Sequence, residues 1–131
     1  MNNKTVVVTG GNGLLGKELS TYLYGLDFSV IVIDIGKRNR NLPKDVKYIE
    51  FDLINIEKYD SLVNEILSLT DNLYGLVNNA AYNPKIEGGA DFGDFESLNL
   101  SEWNNEVTLN LSSPVFLIKA LLPIFNKKDN P

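Results

Sequence analysis

Apolar residues along this chain follow two habits: short, almost continuous runs, and longer stretches in which they recur at helical spacing. The runs at residues 4–9 (around Thr5-Val6-Val7-Val8), Phe28 to Asp34, Val46 to Phe51 and Leu73 to Asn79 are rich in β-branched and aromatic residues and predict four strands. Runs apolar at consecutive positions suit strands buried on both faces, as in a parallel sheet covered by helices. Between them, Leu14, Leu15, Leu19, Tyr22 and Leu23 predict a helix from about Leu14 to Tyr24, closed by Gly25 as its C′ glycine. Ile56, Tyr59, Leu62, Val63, Ile66 and Leu67 form one apolar stripe in a second helix over Asn55 to Thr70. A last helix is predicted from an N-cap at Ser101, with Glu102 in its first turn, to about Phe125, bent at Pro114.

Strands that alternate with helices require right-handed crossovers and a parallel sheet. The predicted fold is therefore α/β: a truncated, Rossmann-type doubly wound parallel sheet of strand order 3-2-1-4 with flanking helices. Residues 80–99, with Pro84, Gly88, Gly89 and Gly93, read as a long loop of the kind that carries function in a compact domain.

At 131 residues, 44% hydrophobic and 22% charged, the chain has the make-up of one ordinary globular domain with room for a core. It contains neither cysteine nor histidine, which removes disulfides, the usual zinc sites and the histidine-dependent triads and dyads, and no metal site is expected. Acid–base chemistry would have to use Tyr, Lys, Asp, Glu or a bound cofactor. The net charge of −5 argues against a nucleic-acid partner. No uninterrupted apolar run approaches membrane-spanning length and the first residues lack a signal-peptide core, so no membrane partner and a cytoplasmic location are expected.

The candidate chemistry lies in Thr9-Gly10-Gly11-Asn12-Gly13-Leu14-Leu15-Gly16, a glycine turn between the first strand and the first helix. Gly10 allows the tight turn, Gly13 lets backbone approach a pyrophosphate, and Gly16 allows close helix–sheet packing. The phosphates would sit at the helix N-terminus, where unpaired N–H groups and the helix dipole favour anions. Asn12 and Leu15 belong to the same cofactor-binding turn.

Further landmarks follow in order: Asp34 closing the second strand, Asp52-Leu53 after the third, Asn78-Asn79-Ala80-Ala81 after the fourth, then Trp103, Asn110-Leu111 and Ala120-Leu121-Leu122-Pro123. With the glycine turn, this ordered set resembles the short-chain dehydrogenase/reductase family, over essentially every residue present. The run Asn78 to Pro84 is similar to that of the subgroup acting in flagellin and surface-sugar modification, whereas the glycine spacing resembles the longer, sugar-nucleotide-acting branch.

The resemblance implies roles. Asp34 would accept hydrogen bonds from both hydroxyls of the adenosine ribose and repel a 2′-phosphate, which implies NAD; Lys37, Arg38 and Arg40 in the basic loop from Gly36 to Pro43 keep NADP as the alternative. Asp52 would bind the adenine amino group with Leu53 beside the ring, Asn79 would tie the central strands, and Ala80 and Ala81 would lie against the ribose. The family commonly has Gly where this chain has Ala81. Asn110 matches the family's catalytic-site asparagine, while Trp103, Val107, Leu111 and Leu117 read as packing residues.

The family's catalytic Tyr-x-x-x-Lys pair is not found at any of Tyr22, Tyr24, Tyr48, Tyr59, Tyr74 or Tyr82; Tyr82 has Lys85 one place too early. The chain thus reads as residues 1–131 of an NAD-binding Rossmann domain, an N-terminal fragment lacking the catalytic C-terminal part and inactive alone. As a full-length enzyme it would move hydride between NAD(H) and a hydroxyl or carbonyl of a small metabolite, such as a sugar derivative. A non-catalytic dinucleotide-binding module, or a sugar-nucleotide epimerase or dehydratase, are the alternatives. The apolar excess on the 101–125 helix implies a homo-oligomer.

Overall fold

The structure, a computed structural model, describes residues 4–82 and 95–125. Strands β1 (Thr5–Thr9), β2 (Ser29–Asp34), β3 (Lys47–Glu50) and β4 (Leu73–Val77) form one parallel sheet in the order β3-β2-β1-β4. Helix α1 (Leu14–Gly25) links β1 to β2. Helix α2 (Tyr59–Leu69), entered through a 3₁₀ turn at Ile56–Lys58, links β3 to β4. After a 3₁₀ turn at Phe95–Ser97 come α3 (Leu100–Val107), a π turn (Thr108–Ser112), α4 (Ser113–Leu121) and a 3₁₀ turn (Leu122–Ile124).

The predicted class and strand order are those observed, and the alternation of side chains explains the unbroken apolar runs. Val7, Ile31, Ile33 and Ile49 face a core shared with Leu62 and Ile66 of α2 and Leu117 and Leu121 of α4. Val6, Val8, Val30 and Val32 point the other way, toward Leu19 and Leu23 of α1 and the loop residues Leu42 and Val46. Each central strand therefore buries both of its faces. The register pairs Thr9 with Ile33 and Asp34 with Glu50, so the turns that leave β1, β2 and β3 emerge at one end of the sheet. The Gly10 N–H to the Ile33 carbonyl (2.8 Å) and the Phe51 N–H to the Asp34 carbonyl (2.9 Å) continue the ladders past the strand ends.

Several local expectations are corrected. Helix α1 keeps Gly25 as its last helical residue instead of using it as a C′ glycine. It ends in a Schellman arrangement in which the Phe28 N–H reaches the Leu23 carbonyl (3.2 Å) and the Asp27 N–H reaches the Tyr24 carbonyl (3.1 Å). The left-handed residue is Asp27 (φ 64°), and Gly25 is ordinary helix. The N-cap of α3 is Asn99, not Ser101: its side chain accepts from the Ser101 N–H (2.8 Å) and the Glu102 N–H (3.4 Å). The irregularity near Pro114 is a π turn placed just before it, because proline offers no N–H and crowds the carbonyl four residues back. Leu67 is 46% exposed and does not belong to the buried stripe of α2. Pro84, Gly88, Gly89 and Gly93 lie outside the described residues.

The final helical stretch, Leu100–Ile124, spans 25 residues at a mean hydropathy of 1.6 in its most apolar window, enough by length and composition to cross a membrane. Uninterrupted apolar runs understated it, because Ser and Pro break the run without breaking the helix. Its buried row of Ser113, Leu117 and Leu121 packs into the domain core. Trp103 and Leu111, expected as packing residues, are 51% and 64% exposed, and Val115, Ile118 and Leu122 continue the outward row.

The α1 terminus gives a direct check. A Cβ at Gly25 meets nothing within 4 Å, so Gly25→Ala should stabilise the protein by about 0.5–1 kcal/mol. Asp27→Val, forced into the left-handed region, should destabilise it by about 1–2 kcal/mol. Urea unfolding midpoints read both, and the opposite pair of signs would return the turn to Gly25.

Candidate functional site

The turns gathered at the carboxyl end of the sheet bring most of the sequence-predicted positions together. Gly10 takes φ +67° and lies so close to the loop after β4 that a Cβ would stand 2.7 Å from the Ala80 Cα. A Cβ at Gly16 would fall on the Gly10 carbonyl oxygen and 2.7 Å from Asn79 Nδ2, so only glycine lets α1 begin where it does. Gly13 differs from both. It is exposed, and a Cβ there would meet only the Gly10 carbonyl at 3.4 Å, so the space in front of it is open. Gly11, unassigned in the sequence, is buried with a would-be Cβ inside the Val32 methyls; its burial follows from the inward face of β2, which the glycine spacing alone does not reveal.

Helix α1 has Gly13 as N-cap, with no side-chain cap and no acidic residue in its first turn. Helix α3 has both, in Asn99 and Glu102. The α1 N-terminus thus keeps the donors and the positive dipole end that an anion needs, and Leu14 and Leu15 beside it are exposed. A dinucleotide's pyrophosphate fits this cradle, because the one glycine of this turn with open space in front of it is also the one that caps the helix.

Asn12 is committed elsewhere. Its backbone N–H donates to Asp34 Oδ2 (2.7 Å), and the Ile35 N–H donates to Asp34 Oδ1 (2.8 Å). Its side-chain amide donates to the Lys37 carbonyl (3.0 Å) and the Tyr48 hydroxyl (2.9 Å) and accepts from the Asn39 N–H (2.9 Å). Tyr48 in turn donates to the Gly36 carbonyl (2.6 Å). Burial first, and the charge of Asp34 next, hold the Tyr48 phenol above its ordinary pKa and so keep it a neutral donor. Of the cations in this loop, Arg38 is turned inward onto carbonyl oxygens, while Lys37 and Arg40 are exposed.

The sequence missed Thr9 as a hub. Its buried hydroxyl donates to the Val77 carbonyl (3.4 Å) and accepts the N–H groups of Asn79 and Ala80 (3.0 Å each). Asn79 Nδ2 donates to the Thr9 and Gly10 carbonyls (3.0 and 3.1 Å), which ties the glycine turn to the end of β4. Ala81 is exposed beside it. A threonine at the end of an apolar strand was the available signal: a buried hydroxyl must find partners.

Asp52 Oδ1 accepts from the Ile54 N–H (3.1 Å). Leu53 is buried in the core, and its carbonyl accepts both the Tyr59 hydroxyl (2.7 Å) and Ser113 Oγ (2.8 Å). Burial is the largest influence on Tyr59 and raises its pKa. Ser113 lies just after the π turn that contains Asn110. Asn110 forms a two-way amide pair with Tyr82, accepting its N–H (2.7 Å) and donating to its carbonyl (3.1 Å). The π turn is therefore anchored to both the β3–α2 and the post-β4 loops. Among the described residues no three Asp or Glu side chains gather as a metal site.

The family model described as short chain dehydrogenase matches residues 4–130. A short chain dehydrogenase/reductase of Colletotrichum higginsianum, dpchG, is 28% identical over 98% of this chain and 48% of its own length. Among solved structures, a 3-oxoacyl-[acyl-carrier protein] reductase from Brucella melitensis in complex with NAD superposes with TM-score 0.79 at 23% identity, covering 95% of this chain and 49% of that one. A metagenomic short-chain oxidoreductase in complex with NADP gives TM-score 0.78 at 20% identity, covering 95% and 57%. The chain spans about half the length of the curated relatives it matches along its whole length. From the glycine turn to the last helix, this chain belongs to the short-chain dehydrogenase/reductase family.

Proposed function

We propose that this chain is the cofactor-binding part of an NAD-dependent oxidoreductase that moves hydride between NAD(H) and a hydroxyl or carbonyl carbon of a small metabolite. The observation that carries the reading is the pairing of an uncapped α1 N-terminus, open at Gly13, with the Asp34 carboxylate held beside it by the Asn12 N–H. Bound NAD supplies the hydride acceptor. The residues do the rest: the turn from Gly10 through Asn12, Gly13 and Leu15 to Gly16 receives the pyrophosphate, and Asp34 takes the ribose hydroxyls. Asp52 takes the adenine amino group, with Leu53 beside the ring, and Ala80 and Ala81 line the ribose next to Asn79. Asn110, exposed in the π turn, serves the proton path. The family's Tyr-x-x-x-Lys pair does not occur in these 131 residues, so this stretch binds and does not turn over.

A sugar derivative as substrate rests on the Asn78 to Pro84 run. The partner surface is the outward row of the last helix. Leu111, Val115, Ile118 and Leu122 recur at intervals of four, three and four residues and are 45–64% exposed, a seam that a second copy would cover.

Three outcomes test these statements. Gly13→Val should weaken NADH binding at least about tenfold while leaving the thermal melt unchanged, because the added methyls enter ligand space rather than protein. Fluorescence titration decides it, and a folded variant with full affinity removes the pyrophosphate from this turn. Asp34→Ala should cost NADH about 10–100-fold, the worth of hydrogen bonds to a charged group, and narrow its advantage over NADPH. Sedimentation of Val115→Glu/Ile118→Glu should show a monomer where the parent shows a dimer; a monomeric parent overturns the seam.

A further inference from the structure

The segment Gly36 to Pro43 carries three cations, and the guanidinium of one of them, Arg38, is occupied. Arg38 Nη2 donates to the carbonyls of Pro43 (2.6 Å), Leu42 (3.3 Å) and Val46 (3.5 Å), and Nη1 donates to that of Asn39 (3.4 Å). The chain is curled to present them: the Leu42 N–H closes a turn on the Asn39 carbonyl (3.2 Å), and the Val46 N–H closes another on that of Pro43 (3.0 Å). Arg38 is half-buried in this cage, and among the described residues no carboxylate is one of its partners.

What holds the cage in place is a pair of amides. The Asn39 N–H donates to Asn12 Oδ1 (2.9 Å), and Asn39 Nδ2 donates to the Asn12 carbonyl (3.3 Å). Asn39 Oδ1 also accepts the Asn41 N–H (2.9 Å), so the same side chain starts the turn that curls around Arg38. Asn12 fixes the Lys37 carbonyl, and Tyr48 fixes that of Gly36. The segment Gly36 to Asn39 is thereby pinned against the glycine turn, whose Asn12 N–H also holds Asp34.

We infer that Asn39, paired with Asn12, is a positioning residue for cofactor choice: it keeps Arg38 in its carbonyl cage, so that the ribose subsite presents Asp34 without a countering guanidinium and admits a 2′-hydroxyl but not a 2′-phosphate. The inference rests on the NAD reading above and adds the residues that enforce it. A 2′-phosphate brings negative charge to a site whose carboxylate is fixed by two N–H groups and cannot swing away. Arg38, released, has the reach and the fork geometry to bind that phosphate.

The experiment is equilibrium binding of NADH and NADPH, at concentrations up to the millimolar range, to the wild type, Asn39→Ala, Arg38→Gln and Asn39→Ala/Arg38→Gln, each checked by its thermal melt. In Asn39→Ala the preference for NADH should fall about fivefold through tighter NADPH binding, the worth of one partly exposed charge pair, and this NADPH binding should weaken in salt. The double variant should return to the wild-type preference. Arg38→Gln alone should leave the preference within about twofold, since the caged guanidinium does not reach the ribose. Equal weakening of both nucleotides in Asn39→Ala, an unchanged preference, or a narrowed preference that persists in the double variant overturns the inference; the last would assign the phosphate to Lys37 or Arg40. If Asn39→Ala fails to fold, Arg38→Gln decides alone: a selective loss of NADPH there overturns the cage. A wild type that prefers NADPH, or binds neither nucleotide, overturns the NAD reading itself, a result distinct from failure of the cage against an NADH-preferring parent.

Discussion

The contact between Gly16 and the Gly10 carbonyl sets the geometry of everything around the site. No side chain fits between them, so α1 must start directly above the turn that ends β1, and Asn79 can reach under both to join the end of β4. Once the helix starts there, its N-terminal N–H groups face outward past Gly13 rather than into protein. A Cβ at Gly16 would push the helix away from the turn, and the Asn79 bonds to Thr9 and Gly10 would lose their register. The packing requirement and the binding requirement therefore fall on neighbouring glycines of one turn, and the sequence string alone does not say which glycine serves which.

What was legible in the chain was whatever depends on local pattern. Strands buried on both faces announce themselves as unbroken β-branched runs, and Val6-Val7-Val8 and Val30 to Ile33 behave accordingly. The meeting of the glycine turn, Asp34 and Asn79 was legible because each stands at the carboxyl end of a parallel strand. What was not legible depends on contacts across the chain. Thr9 looked like the last residue of a strand, yet its hydroxyl holds the loop after β4, about seventy residues away. Gly25 looked like a helix stop, but the tertiary position of β2 lets Asp27 take the left-handed role. Ser101 and Asn99 are both good N-caps, and only the backbone path chose between them.

The last helix shows the same limit in its packing. Its apolar residues cover more than one face, and periodicity cannot tell which row meets the sheet. The π turn answers it: a five-residue turn ahead of Pro114 brings Ser113 onto the Leu53 carbonyl, which also accepts the Tyr59 hydroxyl. That carbonyl makes α2, α4 and the β3–α2 loop one unit. Leu117 and Leu121 are buried as a consequence, and Leu111, Val115 and Ile118 are left outward. An outward row of this kind on a helix anchored so firmly stays on the surface, since the helix cannot turn to hide it.

A count of lone pairs at Asp34 joins these threads. An ionised carboxylate offers about four acceptor positions. The Asn12 N–H takes one on Oδ2 and the Ile35 N–H takes one on Oδ1, both from backbone and both at 2.8 Å or less. One position on each oxygen remains, which is the number that two adjacent ribose hydroxyls would use. The two backbone bonds also remove the carboxylate's freedom to rotate, so the cost of ordering it is met on folding rather than on binding. Asn12 thus links the glycine turn to the end of β2 through its main chain, and the basic loop to both through its side chain. Replacing its side chain would leave the Asp34 bond chemically possible but free the loop that frames it, so the two ends of one residue hold two separable parts of this end of the sheet.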